Sequence, residues 1–171
     1  MSEYPPIMLV DDNDNPIGSA TLQAIHNKGL LHRAVIINVV DEKGRILLQK
    51  RASWVATNPR KWDASAAGHV DEGESYLVAG KRELKEELGL LNYDLVQVDK
   101  IRSTINYKGI KLDRFITIYK VVVPANLQIN YDEHEVMDIK WFTKDDIKDL
   151  IAHETSSLVP EQIDILEKYY L

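Results

Sequence analysis

Two pairs of β-rich runs, each closed by a short polar turn, constrain the fold of this chain more than any other feature. "RAVIINVV", "DEKG" and "RILLQKR" follow one another from Arg33 to Arg51. β-branched side chains favour an extended backbone and four turn-type residues suffice to reverse it, so these runs read as a hairpin placed centrally in a sheet. "YDLVQVDKIRSTINY", "KG" and "IKLDRFITIYKVVV" make a second, longer hairpin. "MLVDDNDNPIGSAT" reads as two short strands around a polar turn, and "VMDIKWF" as one further strand. Between the hairpins, Ala52 to Gly68 is a loop carrying Pro59, after which Ser75 can cap a helix running to about Leu88 with Gly89 as its stop. Thr143 or Lys144 starts a helix to about Ala152, and Pro160 fits the first turn of a last helix ending near Tyr169. Helices follow strands without strict alternation, which predicts an α/β (α+β) chain with a mixed sheet and helices packed on it.

At 171 residues and 44% hydrophobic, without repeats or a Pro/Gly/Ser linker, the chain is expected to form a single domain over residues 1–171. A net charge of −6 with no basic stripe argues against a nucleic acid polymer as partner. The absence of a long apolar run and of a basic, apolar leader at "MSEYPPIMLV" predicts no membrane association and a cytoplasmic location. Zero cysteines exclude disulfides, thiolate zinc sites and a cysteine nucleophile.

The helix expected after Ser75 carries an unusual charge pattern. On a 3.6-residue period Leu77, Gly80, Leu84 and Leu88 form one apolar stripe, with Glu83, Glu86 and Glu87 on one flank and Lys81 and Lys85 on the other. A solvated helix face normally mixes its charges; here Glu83 and Glu87 are a like-charge i,i+4 pair, a cost of about 0.2–0.5 kcal/mol if exposed. Arg82 with Glu86 is the one favourable i,i+4 pair. Three hard oxygen donors on one flank, beside a Gly-containing loop, suit Mg²⁺ or Mn²⁺. A second acidic stretch, "DDNDNPIG", fails as a calcium loop: Pro16 stands where glycine is needed and Leu22 where a bidentate glutamate is needed.

Gly68, five residues, Glu74, seven residues, then Arg82-Glu83-Leu84-Lys85-Glu86-Glu87-Leu88-Gly89-Leu90 fills every fixed position of the Nudix box. The chain therefore resembles the Nudix hydrolases. The resemblance implies an α/β/α sandwich around a mixed β-sheet and hydrolysis of a small-molecule diphosphate substrate. It further implies Glu83, Glu86 and Glu87 as metal ligands with the Gly68 carbonyl, Arg82 orienting a glutamate, and Glu74 bracing the loop. The proton acceptor would be one of the box glutamates or a downstream acid in "YDEHEVMD", Glu133 or Glu135. Homodimers are common among such relatives.

"AIHNKGLLHRAVIINVVDEKGRILLQKRA", with "NPRKWD" and "GH" after it, is further similar to the isopentenyl-diphosphate isomerase branch. That branch binds metal through histidines matching His26, His32 and His69, so the resemblance implies a second metal at these three. Its proton-donating cysteine is replaced here by Ala67, whose methyl group cannot transfer a proton, and its box is degraded where this one is whole. The departure favours an isomerase-like Nudix hydrolase over the isomerase and over a non-catalytic nucleotide-sensing domain. For substrate contacts the sequence offers Arg51, Arg33 and Trp62, each against a plain packing or ion-pair role. Trp54, Tyr107 and Trp141 read as packing residues.

Overall fold

The second hairpin forms as expected and supplies the longest strands. β7 (Val96–Tyr107) and β8 (Ile110–Val123) pair antiparallel from Val96↔Lys120 to Tyr107↔Ile110. Lys108 and Gly109 at its tip have φ of 49° and 90°, the doubly positive geometry that matches the twist of the flanking strands. The computed structural model describes residues 5–171; residues 1–4, part of the start read above for a leader, lie outside it.

The first hairpin opens instead of zipping. β3 (Leu31–Asp41) and β4 (Ile46–Arg51) meet only at Val40↔Ile46 and then splay apart. β3 runs parallel to β8 from Leu31↔Asp113 to Asp41↔Val123. On its other side the gap is filled by β6 (Ala66–His69), antiparallel to Ala34–Ile37. β4 pairs instead with β5 (Trp62–Asp63) and β9 (Val136–Phe142). The segment read as a loop thus contains two short strands, which local sequence did not announce because β5 is only two residues long and β6 is made of alanine, glycine and histidine. β1 (Ile7–Val10) and β2 (Pro16–Ala20) close the edge, and Asp11 Oδ1 accepts the Asn13 and Asn15 amides, tying that acidic turn to itself.

Three helices fall where capping chemistry put them: α2 (Tyr76–Leu88, capped by Ser75), α3 (Lys144–Glu154, with a Thr143/Asp146 capping box) and α4 (Pro160–Tyr169). The short α1 (Leu22–Lys28), capped by Thr21, was not expected, and it places His26 in its last turn. Ala79, Leu84 and Leu88 of α2 pack on one face of the sheet against Val35, Ile37 and Leu47. Ile147 of α3 and Ile165 and Leu166 of α4 pack on the other against Ile36, Leu48 and Ile118. Each fully buried aliphatic side chain contributes about 1.5–3 kcal/mol, so both layers are held by apolar burial. The result is an α/β/α sandwich around a mixed sheet. Among the described residues no helix is long and apolar enough to cross a membrane.

Candidate active site

The acidic helix does not present its glutamates as a flank. Leu77, expected in the buried stripe, is exposed, while Ala79, Gly80, Glu83, Leu84, Glu87 and Leu88 face the sheet. Glu83 and Glu87 are only 9% and 5% exposed, whereas Glu86 stands in solvent. Burial changes the energetics: removing two like charges from water costs far more than surface repulsion. Burial raises Glu83 to about 7 against the pull of Arg82, with the Glu86 and Glu135 charges pushing the same way as burial. Glu87 rises well above the carboxylate range through burial first and Glu83 next.

Gly68 is what lets Glu83 reach its place. A Cβ built on Gly68 would stand 1.9 Å from Glu83 Oε1, so the carboxylate lies against a backbone that no side chain can share. β6 brings the loop there through its pairing of Gly68 with Val35. Glu87 lies beside it, accepting from Gln49 Nε2 at 2.6 Å and from the Ala67 amide at 3.3 Å.

Arg82 organises the outer half. Its guanidinium donates to both Glu74 oxygens (2.9 and 3.0 Å), to Glu83 (2.7 Å), to Glu86 (3.2 Å) and to the His69 carbonyl (2.9 Å). Glu74 also accepts the Asp71 amide at 3.0 Å, which folds the box loop onto the helix. One guanidinium therefore serves several carboxylates, more acid groups than it can neutralise once all are ionised. Hard oxygen donors with uncompensated charge fit Mg²⁺ or Mn²⁺. Among the described residues no three His, Asp or Glu side chains converge closely enough to hold an ion as they stand. Binding would draw Glu83 or Glu86 away from Arg82.

The loop between β8 and β9 closes the cleft. The Asp132 amide bonds to the Glu87 carbonyl at 3.0 Å, and Trp54 Nε1 donates to the His134 carbonyl at 3.0 Å with the two rings edge-on at 5.5 Å. Trp54 is thus not a packing residue: it is 56% exposed and clamps this loop from across the cleft. The loop turns Glu135 toward the box. Burial, then repulsion from Asp132 and Glu86, raises Glu135, and its charge in turn acts on Glu83 and Glu87. Glu133 is exposed on the same loop, and its charge is not among the leading influences on Glu83 or Glu87. Of the two downstream acids, position favours Glu135 over Glu133: the turn that bonds the Glu135 amide to the Asp132 carbonyl at 3.1 Å leaves Glu135 coupled to Glu83, Glu86 and Glu87, with Glu133 in solvent.

The other candidates separate from the cleft. Arg51 Nη1 pairs with Asp63 at 2.8 Å and its Nε donates to the Thr57 carbonyl at 3.1 Å, so it braces the β4–β5 loop. Arg33 pairs with Asp14 at 2.7 Å and lies over the Tyr76 ring. Trp62 packs edge-on against Phe142 at 5.4 Å. All three take the packing or ion-pair role. Gln49 was missed, although its position two residues after Leu47 on a buried strand predicts that it faces α2.

His26, His32 and His69 do gather, on the opposite side of the sheet. His32 and His69 rings lie 5.3 Å apart and tilted by 38°. His32 Nδ1 donates to the Leu30 carbonyl at 2.8 Å, which leaves Nε2 as a lone-pair acceptor, buried and without a protein partner. Burial lowers His32 to about 4 and His69 to about 3, and Arg114 and His26 push both the same way. Arg114 is His32's neighbour across the β3–β8 ladder. A guanidinium at that position does not fit a metal bound by these histidines.

The NUDIX domain family profile matches residues 30–162. A protein of Photorhabdus laumondii named isopentenyl-diphosphate Delta-isomerase 2 is 40% identical over 150 residues, covering 79% of this chain and 75% of its own. A Yersinia pestis protein named an uncharacterized Nudix hydrolase is 42% identical over 82 residues, covering 48% of this chain and 45% of its own. Among solved structures, Deinococcus radiodurans DR0079 superposes with a TM-score of 0.77 at 18% identity, covering 97% of this chain and 99% of its own. The fold, the intact box around Gly68 and Glu83, and the profile match over most of its length agree that this chain belongs to the NUDIX domain family.

Proposed function

We propose that this protein is a divalent-metal-dependent hydrolase that cleaves a small diphosphate compound by attack of water at phosphorus. The observation that carries the reading is the pair of buried carboxylates, Glu83 and Glu87, set against Gly68 and the exposed Glu86, with the Arg82 guanidinium reaching Glu83 and Glu86. Burial favours the protonated form of both carboxyls, and a bound divalent cation would favour the ionised form that can ligate it. Bound Mg²⁺ or Mn²⁺ would polarise the phosphoryl group and acidify a coordinated water.

The chain's own groups have definable tasks in that reaction. Gln49 and the Ala67 amide fix Glu87, and Arg82 holds Glu83 and Glu86 in reserve on the helix side. Glu135, raised by burial and by its acidic neighbours, is suited to accept the proton of the attacking water. The clamp of Trp54 on His134 keeps that loop over the cleft and limits bulk water.

Relatives named isomerases supply the competing reading. Ala67 speaks against it, because its methyl group offers no proton where that reaction needs a donor, and its amide is already bonded to Glu87. The deciding experiment is release of phosphate or of phosphomonoester products, the latter made visible by an added phosphatase, from a panel of nucleoside diphosphates, nucleotide sugars, coenzymes and prenyl diphosphates, with and without Mg²⁺. Metal-dependent release lost in Glu86→Gln/Glu87→Gln supports hydrolysis. Conversion of isopentenyl diphosphate to its allylic isomer without phosphate release would overturn it.

A further inference from the structure

The histidine cluster lies on the face of the sheet away from α2, and what surrounds it is cationic. Arg114 sits beside His32 in the β3–β8 register and Ser103 beside Arg114 in the β7–β8 register, forming one cross-strand row. From α4, Glu161 reaches down to that row: Arg114 Nη2 donates to its two oxygens at 3.1 and 3.0 Å, and Ser103 donates its hydroxyl to the same carboxylate. Asp113, which also acts on His32, is occupied by Arg102 and by Thr104 at 3.0 Å. Glu161, the carboxylate on this face, is therefore taken by Arg114, while Asp113, in register with Leu31, lies on the other face of the sheet. The row leaves two buried atoms without protein partners, the acceptor His32 Nε2 and the donor Arg114 Nε, a complementary set that asks for a water or hydroxyl and not for a cation.

We propose that Arg114 is a built-in cation that takes the place of a metal ion at His26, His32 and His69, so that this cluster is a metal-free polar brace fastening α4 to the sheet. A fixed guanidinium satisfies Glu161, excludes a divalent ion by charge and keeps the histidines neutral. The divalent-ion requirement then belongs to the carboxylates on the α2 side alone. The inference concerns the opposite face from the proposed hydrolytic site and stands or falls independently of it.

The test uses the metal as its own probe. Chelator-stripped protein is titrated with Co²⁺ and followed by visible absorption, because histidine-ligated, low-coordinate Co²⁺ absorbs far more strongly than Co²⁺ in an all-oxygen octahedral shell. The wild-type protein is expected to show only weak bands, unchanged in His69→Gln. Arg114→Glu, which removes the cation and supplies a carboxylate, is expected to gain one equivalent of strongly absorbing Co²⁺, lost again when His69→Gln is added. Strong bands in the wild type that disappear in His69→Gln would overturn the proposal. So would a folded Arg114→Glu protein, checked by circular dichroism, that gains no such site. Should that variant fail to fold, Arg114→Gln, which removes the charge and releases Glu161, is held to the same two outcomes.

Discussion

Gln49 Nε2 and Glu87 Oε2 meet at 2.6 Å inside the protein, the side-chain hydrogen bond that joins the core strand β4 to the acidic helix. It orients a carboxylate that has almost no access to water. Gln49→Leu keeps the volume and removes the donor. Metal affinity, measured by Mn²⁺ titration, is expected to fall about 10–100-fold, with turnover falling in step, as for other groups that orient a metal ligand. An unchanged affinity would show that Glu87 needs no such support.

Gly68 tolerates no side chain. Gly68→Ala drives a methyl group into the Glu83 carboxylate, which must swing out or carry the β6 backbone with it. Turnover is expected to drop by about 100-fold or more, and thermal stability by roughly 1–3 kcal/mol. Gly73→Ala is the control: it lies in the loop that follows β6, at a φ of 85° but with open space around it, so it should cost only backbone strain of about 1 kcal/mol and little activity.

Glu135 and Glu133 should part company in kinetics. Glu135→Gln is expected to lower kcat by about 10²–10⁴ while leaving metal binding near wild type, the range for loss of a general base. Glu133→Gln is expected to stay within a few-fold of the wild type. The reverse ranking in steady-state assays would move the proton acceptor to Glu133.

The pH dependence of stability has a definite sign. Glu83 is raised from 4.5 to about 7 by burial, so the folded, metal-free protein binds a proton that the unfolded chain has lost. Its contribution is fully present below about pH 4.5 and disappears as pH rises toward 7, a loss of roughly 2–3 kcal/mol. His32, lowered to about 4 by burial, works the other way: the unfolded chain takes up its proton first as pH falls. The informative quantity is therefore the difference between wild type and Glu83→Gln in thermal melts from pH 4.5 to 7.5. Wild type should lose stability relative to the variant as pH rises without metal, and Mg²⁺ should cancel that loss. A flat difference would show that Glu83 does not titrate in this window.

Much of the site was legible before any fold was known. The spacing from Gly68 through Glu74 to the Arg82–Leu90 run named the carboxylates that gather there and the arginine that organises them, and Ser75 and Gly89 bounded their helix. What the helical wheel misjudged was the side on which Glu83 and Glu87 lie. Their burial depends on β6 threading Gly68 beneath α2, and no periodicity within the helix encodes that approach. The loop between β8 and β9 was equally opaque: its acids could be named, but which one faces the box depends on Asp132 meeting the end of α2 and on Trp54 clamping His134. Arg51, Arg33 and Trp62 read as candidates because an unpaired arginine and an unpacked ring look alike in sequence whether or not a partner waits for them.

The sequence by itself determined the longer strands, the three longer helices and the acidic cluster that the proposed metal would use, because these follow from local backbone preference and from residue spacing along one chain. Only the tertiary structure decided that Gln49 holds Glu87, that Gly68 shelters Glu83, and that Arg114 stands among His26, His32 and His69. Those are meetings between strands far apart in sequence, fixed by sheet register and by the two packed faces, and they set which charges are buried and which are neutralised.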